Sequence, residues 1–190
     1  ACHLNGGPTS IPVREAIRVI DRTDCAIEIV HCGNLKSALE IGRYLKEKGI
    51  LSRLILGNDA PSGTGVVPLG IWRMVNFIAS LCGLSAEVAV CCATGNAMGV
   101  FGLSHGIIKP GMAADLQVID TPMGSAGRDA KQAIEAGDIP GIAMVMIDGA
   151  IKIEVSRNTP PPVRKITYES CYRKKSEKTP FRHSGESRNP

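Results

Sequence analysis

Between residues 25 and 92, short apolar runs rich in β-branched residues alternate with longer amphipathic ones. Cys25-Ala-Ile-Glu-Ile-Val-His31 stops at Cys32-Gly33-Asn34. A helical stripe of Ala38, Ile41 and Leu45 follows, with Lys36, Glu40, Lys46 and Lys48 facing away and Gly49 as its stop. Arg53-Leu-Ile-Leu-Gly57 is a second strand, opening into Asn58-Asp59 and a Pro/Gly-rich loop from Ala60 to Pro68. Leu69, Trp72, Val75, Ile78 and Leu81 mark a second helix, and Ser85 is placed to cap a third that carries Val88 and Cys91 or Cys92. Near-continuous apolar strands separated by helices are the pattern of β/α units on a parallel sheet. Val13, Ile17 and Ile20 add a helix before the first of these strands, as though following a strand that ends at His3.

From about residue 104 the pattern changes to short strands and tight turns: Gly106-Ile-Ile, Leu116 to Ile119, Ala143 to Ile147, and Ala150 to Val155 across Asp148-Gly149, a strong hairpin signal. Beyond Asn158 the chain reads Pro-Pro-Pro, then polar and basic, and is expected to be disordered. Residues 164 to 190 hold eight Lys/Arg against three Glu, which leaves fourteen basic and fifteen acidic residues before them. The excess positive charge therefore belongs to the tail, and a short basic tail without a folded reader excludes nucleic acid as the main partner. The last residues, from Thr179, read as translated intergenic sequence with no function of their own. No window of 18 uninterrupted apolar residues occurs, no signal-peptide pattern is present, and the seven scattered cysteines lack a C-x-x-C pair. These features predict a cytoplasmic chain with reduced thiols and no membrane partner.

His3 and Asp59 share a context, each ending an apolar strand and opening a Gly/Pro loop. On a parallel β/α barrel the C-terminal strand ends form the active-site rim, where an imidazole and a carboxylate from neighbouring units can meet on one metal or substrate. The alternative is a frayed terminal His and an Asp that only forms a turn. His31, at the end of its strand, is a candidate substrate contact. Glu28, inside that strand, reads as a carboxylate satisfied by a structural partner rather than a catalytic one. His105 and His183 read as solvated. The loop from Gly57 to Gly65 lacks the Lys-Ser/Thr of a phosphate-binding loop, Ser62 is not in a nucleophile elbow, and Cys91-Cys92 sits in an apolar helix where thiols are inert.

Thr94-Gly-Asn-Ala97, followed by Gly106-x-Ile108-x-Pro110-Gly111-x-x-Ala114-Asp115-Leu116-x-Val118-Ile119-Asp120, resembles the closing signature of the amidohydrolase superfamily. His3-Leu-Asn-Gly-Gly-Pro-Thr9, the Gly57 to Gly65 loop, Gly137-Asp-Ile-Pro-Gly141 and Ser156-Arg-Asn-Thr-Pro-Pro161 extend the resemblance over roughly residues 2 to 162. It implies an α/β fold: the C-terminal part of a metal-dependent (β/α)8 TIM-barrel hydrolase plus a small β-sandwich module. Residues 1–103 would be partial barrel (the end of strand 6, then strands 7 and 8), 104–158 a composite β-sandwich segment, and 159–190 the disordered tail. The resemblance makes His3 the strand 6 metal ligand and Asp59 the strand 8 ligand, with Asp59 also taking the proton of the attacking water. Asn58, Ser62 and Thr64 would line the rim near substrate.

The same resemblance implies zinc or another divalent metal, one or two ions in the complete enzyme, and a non-peptide carbon–nitrogen bond in a cyclic amide or enamide, as in nicotinate fermentation. Its partners would be that small-molecule substrate and, when complete, further copies of itself. The family's His-x-His is absent from the sequence. The chain is thus expected to be an incomplete piece that folds poorly and shows no hydrolysis alone. Two other readings stay open: a non-catalytic remnant or binding module, and an amidohydrolase of imidazolonepropionase-like or dihydroorotase-like specificity.

Overall fold

The computed structural model describes residues 1–6, 11–61 and 65–169. Strand β1 (Ile27–Val30) pairs in parallel with β2 (Leu54–Gly57), Ile27 opposite Leu54 and Val30 opposite Gly57. Residues 1–4 lie along the other side of β1. The Ala1 ammonium donates to the Ala26 carbonyl (2.7 Å), Glu28 N–H to the Ala1 carbonyl (2.9 Å), and Leu4 N–H to the Glu28 carbonyl (2.8 Å). Residues 2–5 are turn rather than strand, but these bonds set the segment ending at His3 beside β1, on the side away from β2.

Helix α1 (Val13–Arg22) buries Ala16 and Ile20, and α2 (Leu35–Glu47) buries Ala38, Ile41 and Leu45, the stripe expected of it. The Asn34 side chain caps α2 by accepting from Ser37 N–H (2.9 Å). Arg53 pins the turn from α1 into β1, donating to the carbonyls of Cys25 (3.0 Å), Ile20 (3.1 Å) and Thr23 (2.6 Å). Helix α3 (Gly70–Cys82) is found where expected, but its buried stripe is Met74, Val75, Ile78, Ala79 and Cys82, and Leu81 is half-exposed. A run at strict three-residue spacing falls about 60° behind the helix with each step, so five such residues cannot share one face. Helix α4 (Ala86–Ala93) starts at Ser85, whose hydroxyl accepts from Val88 N–H (3.4 Å), and α5 (Gly95–Phe101) follows at once.

The second half forms an antiparallel sheet in the order β3 (Leu116–Asp120), β4 (Gly141–Ile147), β5 (Ala150–Ile153). Asp148 (φ 49°) and Gly149 (φ 72°) are both left-handed, the conformation a tight two-residue hairpin requires. Three expectations are corrected. Gly106-Ile-Ile is loop, not strand. A helix unforeseen from the sequence, α6 (Ala130–Ala136), lies between β3 and β4 and sends Ile134 into the core shared with α3 and α4. The segment expected to be disordered from residue 159 is instead tied down as far as 168. Pro162 bridges Pro122, Val163 N–H donates to the Thr121 carbonyl (3.1 Å), Arg164 pairs with Asp120, and Tyr168 OH donates to Glu154 (3.2 Å). Proline removes donors but leaves carbonyls, and that of Pro161 accepts from Met123 N–H (2.8 Å). The remainder of the expected tail lies outside the described residues.

One buried cluster runs through the first half and takes in Ile134 of the second, while Ile142, Ala143 and Met144 of β4 are buried outside it. Leu4, Ile20, Ile27, Ile41, Leu54, Met74, Ile78, Cys92 and Ile134 belong to one buried cluster. Among the described residues no helix is long and apolar enough to cross a membrane.

Candidate active site at the strand ends

The chain leaves the residue 1–4 segment, β1 and β2 at the same edge of the sheet, so His3, His31 and Asn58-Asp59 come together there. His3 has φ 40° and Asp59 φ 56°, both in the left-handed region that side chains other than Gly enter at a cost. The His3 N–H donates to Glu28 Oε2 (3.1 Å), and the His3 carbonyl accepts from Gly6 N–H (2.7 Å), closing a tight turn. Asn5, fully buried, locks that turn to the end of β1. Its Nδ2 donates to the carbonyls of Val30 (2.9 Å) and Asn34 (3.3 Å), and its Oδ1 accepts from Val30 N–H (2.8 Å).

Across the rim, His3 Nε2 stands 3.9 Å from Asp59 Oδ1, with the His side chain 55% exposed and the Asp side chain 28%. His31 and Asn58 directly follow β1 and β2. His31 N–H donates to the Gly57 carbonyl (3.1 Å) and Cys32 N–H to the Asn58 carbonyl (3.2 Å), extending the β1–β2 ladder past the strands. His31 Nδ1 and Asn58 Oδ1 are buried and have no hydrogen-bond partner among the described residues. Burial holds the His31 imidazole below its ordinary pKa, and the Arg73 guanidinium pushes the same way. Asn58 can lie flat on the start of α3 because Gly70 has no side chain; a Cβ there would stand 2.0 Å from Asn58 Oδ1. Ser62 and Thr64, the other expected rim residues, lie outside the described residues.

Two ligands of one tetrahedral zinc lie roughly 3.4 Å apart, from bonds of about 2.1 Å. The imidazole nitrogen and carboxylate oxygen need close by only about half an ångström to share an ion, so the pair fits as two donors. No group of three or more His, Cys, Asp or Glu able to hold a metal is found among the described residues. These residues thus offer one side of a metal site.

No family model matches the chain. Over 162 residues, 85% of its length, the chain is 57% identical to the enamidase of Eubacterium barkeri, and the match spans 42% of that protein. The solved structure of enamidase, described as a new member of the amidohydrolase superfamily, aligns with a TM-score of 0.84 at 56% identity, over 87% of this chain and 43% of that one. The chain belongs to the amidohydrolase superfamily. Its mixed α/β fold is the C-terminal portion of the superfamily's TIM-barrel architecture. A β-aspartyl dipeptidase from Fervidobacterium islandicum aligns at a TM-score of 0.54 with 15% identity, covering 88% of this chain and 41% of that one, a likeness of fold alone. The chain spans less than half the length of either solved relative. Amidohydrolases are generally metal-dependent, in keeping with the donor pair at the rim.

Sequence reasoning missed Asn5 and Gly70. Asn5 directly follows the His3-Leu4 pair, but a buried three-way amide leaves no periodic signal. Gly70 is read at the sequence level as an ordinary residue in a helical run.

Proposed function

We propose that this chain supplies the His3 and Asp59 side of the active centre of a metal-dependent hydrolase that opens cyclic amides or enamides. The observation that carries the reading is the 3.9 Å approach of His3 Nε2 to Asp59 Oδ1 at the strand ends of an enamidase-like fold. His3 and Asp59 would hold a divalent ion, zinc by the chemistry of an imidazole and a carboxylate. When bound, such an ion lowers the pKa of water and polarises a carbonyl. Asp59 takes the proton of the attacking water and passes it to the ring nitrogen, while the water oxygen bonds to the carbonyl carbon and the C–N bond breaks. His31, Asn58, Ser62 and Thr64 would lie near the substrate's polar edge; His31 Nδ1 and Asn58 Oδ1, which have no hydrogen-bond partner among the described residues, support that reading. Residues 1–103 act as the barrel part and 104–158 as the part of a β-sandwich beside it. The working protein is a cytoplasmic homo-oligomer that uses neither nucleic acid nor membrane.

The test is to install this chain in place of the matching part of the Eubacterium barkeri enamidase and follow the opening of a cyclic enamide by its ultraviolet absorbance. The hybrid should turn over, and Asp59→Asn should lower kcat by about 10²- to 10⁴-fold. A folded hybrid that opens no cyclic amide, or one indifferent to Asp59→Asn, overturns the reading.

A further inference from the structure

Glu28 is a carboxylate on the middle strand, between the two candidate ligands. Its main chain is committed to the sheet: its N–H donates to the Ala1 carbonyl (2.9 Å), its carbonyl accepts from Leu4 N–H (2.8 Å), and it pairs with Ile55 on β2. Its side chain turns to the rim. Oε2 accepts from the N–H of His3 (3.1 Å), the very residue whose backbone is left-handed. Oε1 leans over the other neighbouring strand, where a Cβ on Gly57 would stand 2.7 Å from it. Gly57 lies two residues before Asp59. One carboxylate therefore spans from the backbone of one candidate ligand to the approach of the other, and it can do so because position 57 carries no side chain.

We infer that Glu28 is a positioning residue: its carboxylate fixes the left-handed backbone of His3 and so aims the imidazole at Asp59. The inference rests on the proposed metal-binding role of the His3–Asp59 pair for its purpose, but the backbone it fixes can be read without any metal. Without an acceptor at Oε2, the His3 N–H loses the bond that compensates its strained conformation, and the residue relaxes toward the ordinary extended region. Glutamine keeps an acceptor oxygen in the same place, whereas alanine removes it. An alanine at position 57 should push the carboxylate aside and reproduce its loss.

The experiment measures amide hydrogen exchange, resolved at His3 and Leu4, and Zn2+ affinity by calorimetry, on the 190-residue chain and its variants. Asp59→Asn sets the Zn2+ background from the thiols. Glu28→Ala should speed exchange at His3 by about tenfold or more while Leu4, bonded to the Glu28 backbone, stays protected. It should also weaken Zn2+ binding by about 10- to 100-fold, toward the Asp59→Asn level, as loss of an outer-shell partner does. Glu28→Gln should leave both readings near wild type, and Gly57→Ala should match Glu28→Ala at His3. Unchanged His3 exchange in Glu28→Ala overturns the inference. So does a Glu28→Gln chain that loses His3 protection while keeping that of Leu4. Should Glu28→Ala expose His3 and Leu4 together, the strand has come away and the glutamine variant decides. If wild type and Asp59→Asn bind Zn2+ alike, the metal reading of the pair fails, and the exchange result still decides the role of Glu28.

Discussion

His3 and Asp59 face each other across β1 with Nε2 and Oδ1 3.9 Å apart, and each carries its side chain on left-handed backbone. Two strained residues meeting at one point of a sheet edge are a local cost that the surrounding bonds hold in place.

Relieving that cost should separate stability from function. A left-handed residue other than Gly costs about 1–2 kcal/mol, part of which glycine gives back through its greater freedom in the unfolded chain. Asp59→Gly should therefore unfold at the same urea concentration as wild type or higher, while losing the carboxylate proposed as a metal ligand. Asp59→Val, β-branched, should lose about 1–2 kcal/mol. Equilibrium urea titrations of the three chains check this.

Gly70 and Asn58 make a second test. With 2.0 Å available between a Cβ at position 70 and Asn58 Oδ1, Gly70→Ala should destabilise the chain by about 1–3 kcal/mol, as overpacking does. Combining it with Asn58→Gly should recover most of that loss, and a double-mutant cycle in urea measures the coupling.

The strap after residue 158 predicts a pH dependence. The Arg164 guanidinium and backbone N–H bond to the Asp120 carboxylate and hold its pKa down to about 2, from an ordinary value near 3.9. A depressed carboxylate stabilises the fold above its unfolded pKa and loses that contribution as pH falls through the folded one. Stability should thus fall between about pH 4 and pH 2. Arg164→Gln should flatten the fall within that window, as read from thermal melts at stepped pH.

Ile134 joins the small sheet's connecting helix to the core of α3 and α4. Ile134→Ala should cost about 2–5 kcal/mol and lower the midpoint of a single unfolding transition seen equally by fluorescence of Trp72 and by far-ultraviolet circular dichroism. Two separated transitions in the wild type would show that the two halves fold independently.

Thiol labelling offers a fifth check. Burial pushes the Cys92 pKa up to about 12 and raises that of Cys82, whereas Cys2 and Cys91 are exposed. Cys91, expected from its apolar helix to be inert, is exposed, so iodoacetamide should label Cys2 and Cys91 in the native chain, and Cys82 and Cys92 only in urea, by peptide mass mapping.

What could be read from the sequence depended on whether the physics was local. The stripe of Ala38, Ile41 and Leu45, the Ser85 cap and the Asp148-Gly149 turn each act within a few residues, and each is where the pattern puts it. His3, His31, Asn58 and Asp59 were legible as strand ends, and parallel topology alone gathers strand ends at one edge. Helix α6 was not legible, because seven residues with only Ala133 and Ile134 buried give too short a period to register. The strap from Thr159 was hidden for a different reason. Its order comes from backbone carbonyls and from Arg164 reaching 44 residues back to Asp120, while its composition reads as disorder. The left-handed backbone at His3 and the fit of Glu28 over Gly57 depend on neighbours brought in by the fold and leave no trace in spacing.

The left-handed backbone at positions 3 and 59 also governs how such a rim can change over generations. Such a conformation rejects bulky and β-branched replacements, admits glycine freely, and takes asparagine, aspartate and histidine at a smaller cost than other side chains. Of those four, aspartate and histidine are strong ion ligands. Mutational drift at either position is thus steered among a few residues, and the first neutral steps away from chemistry lead to glycine or asparagine with the fold intact. A lineage that has given up the reaction should show those two residues at the rim long before it shows damage to the core.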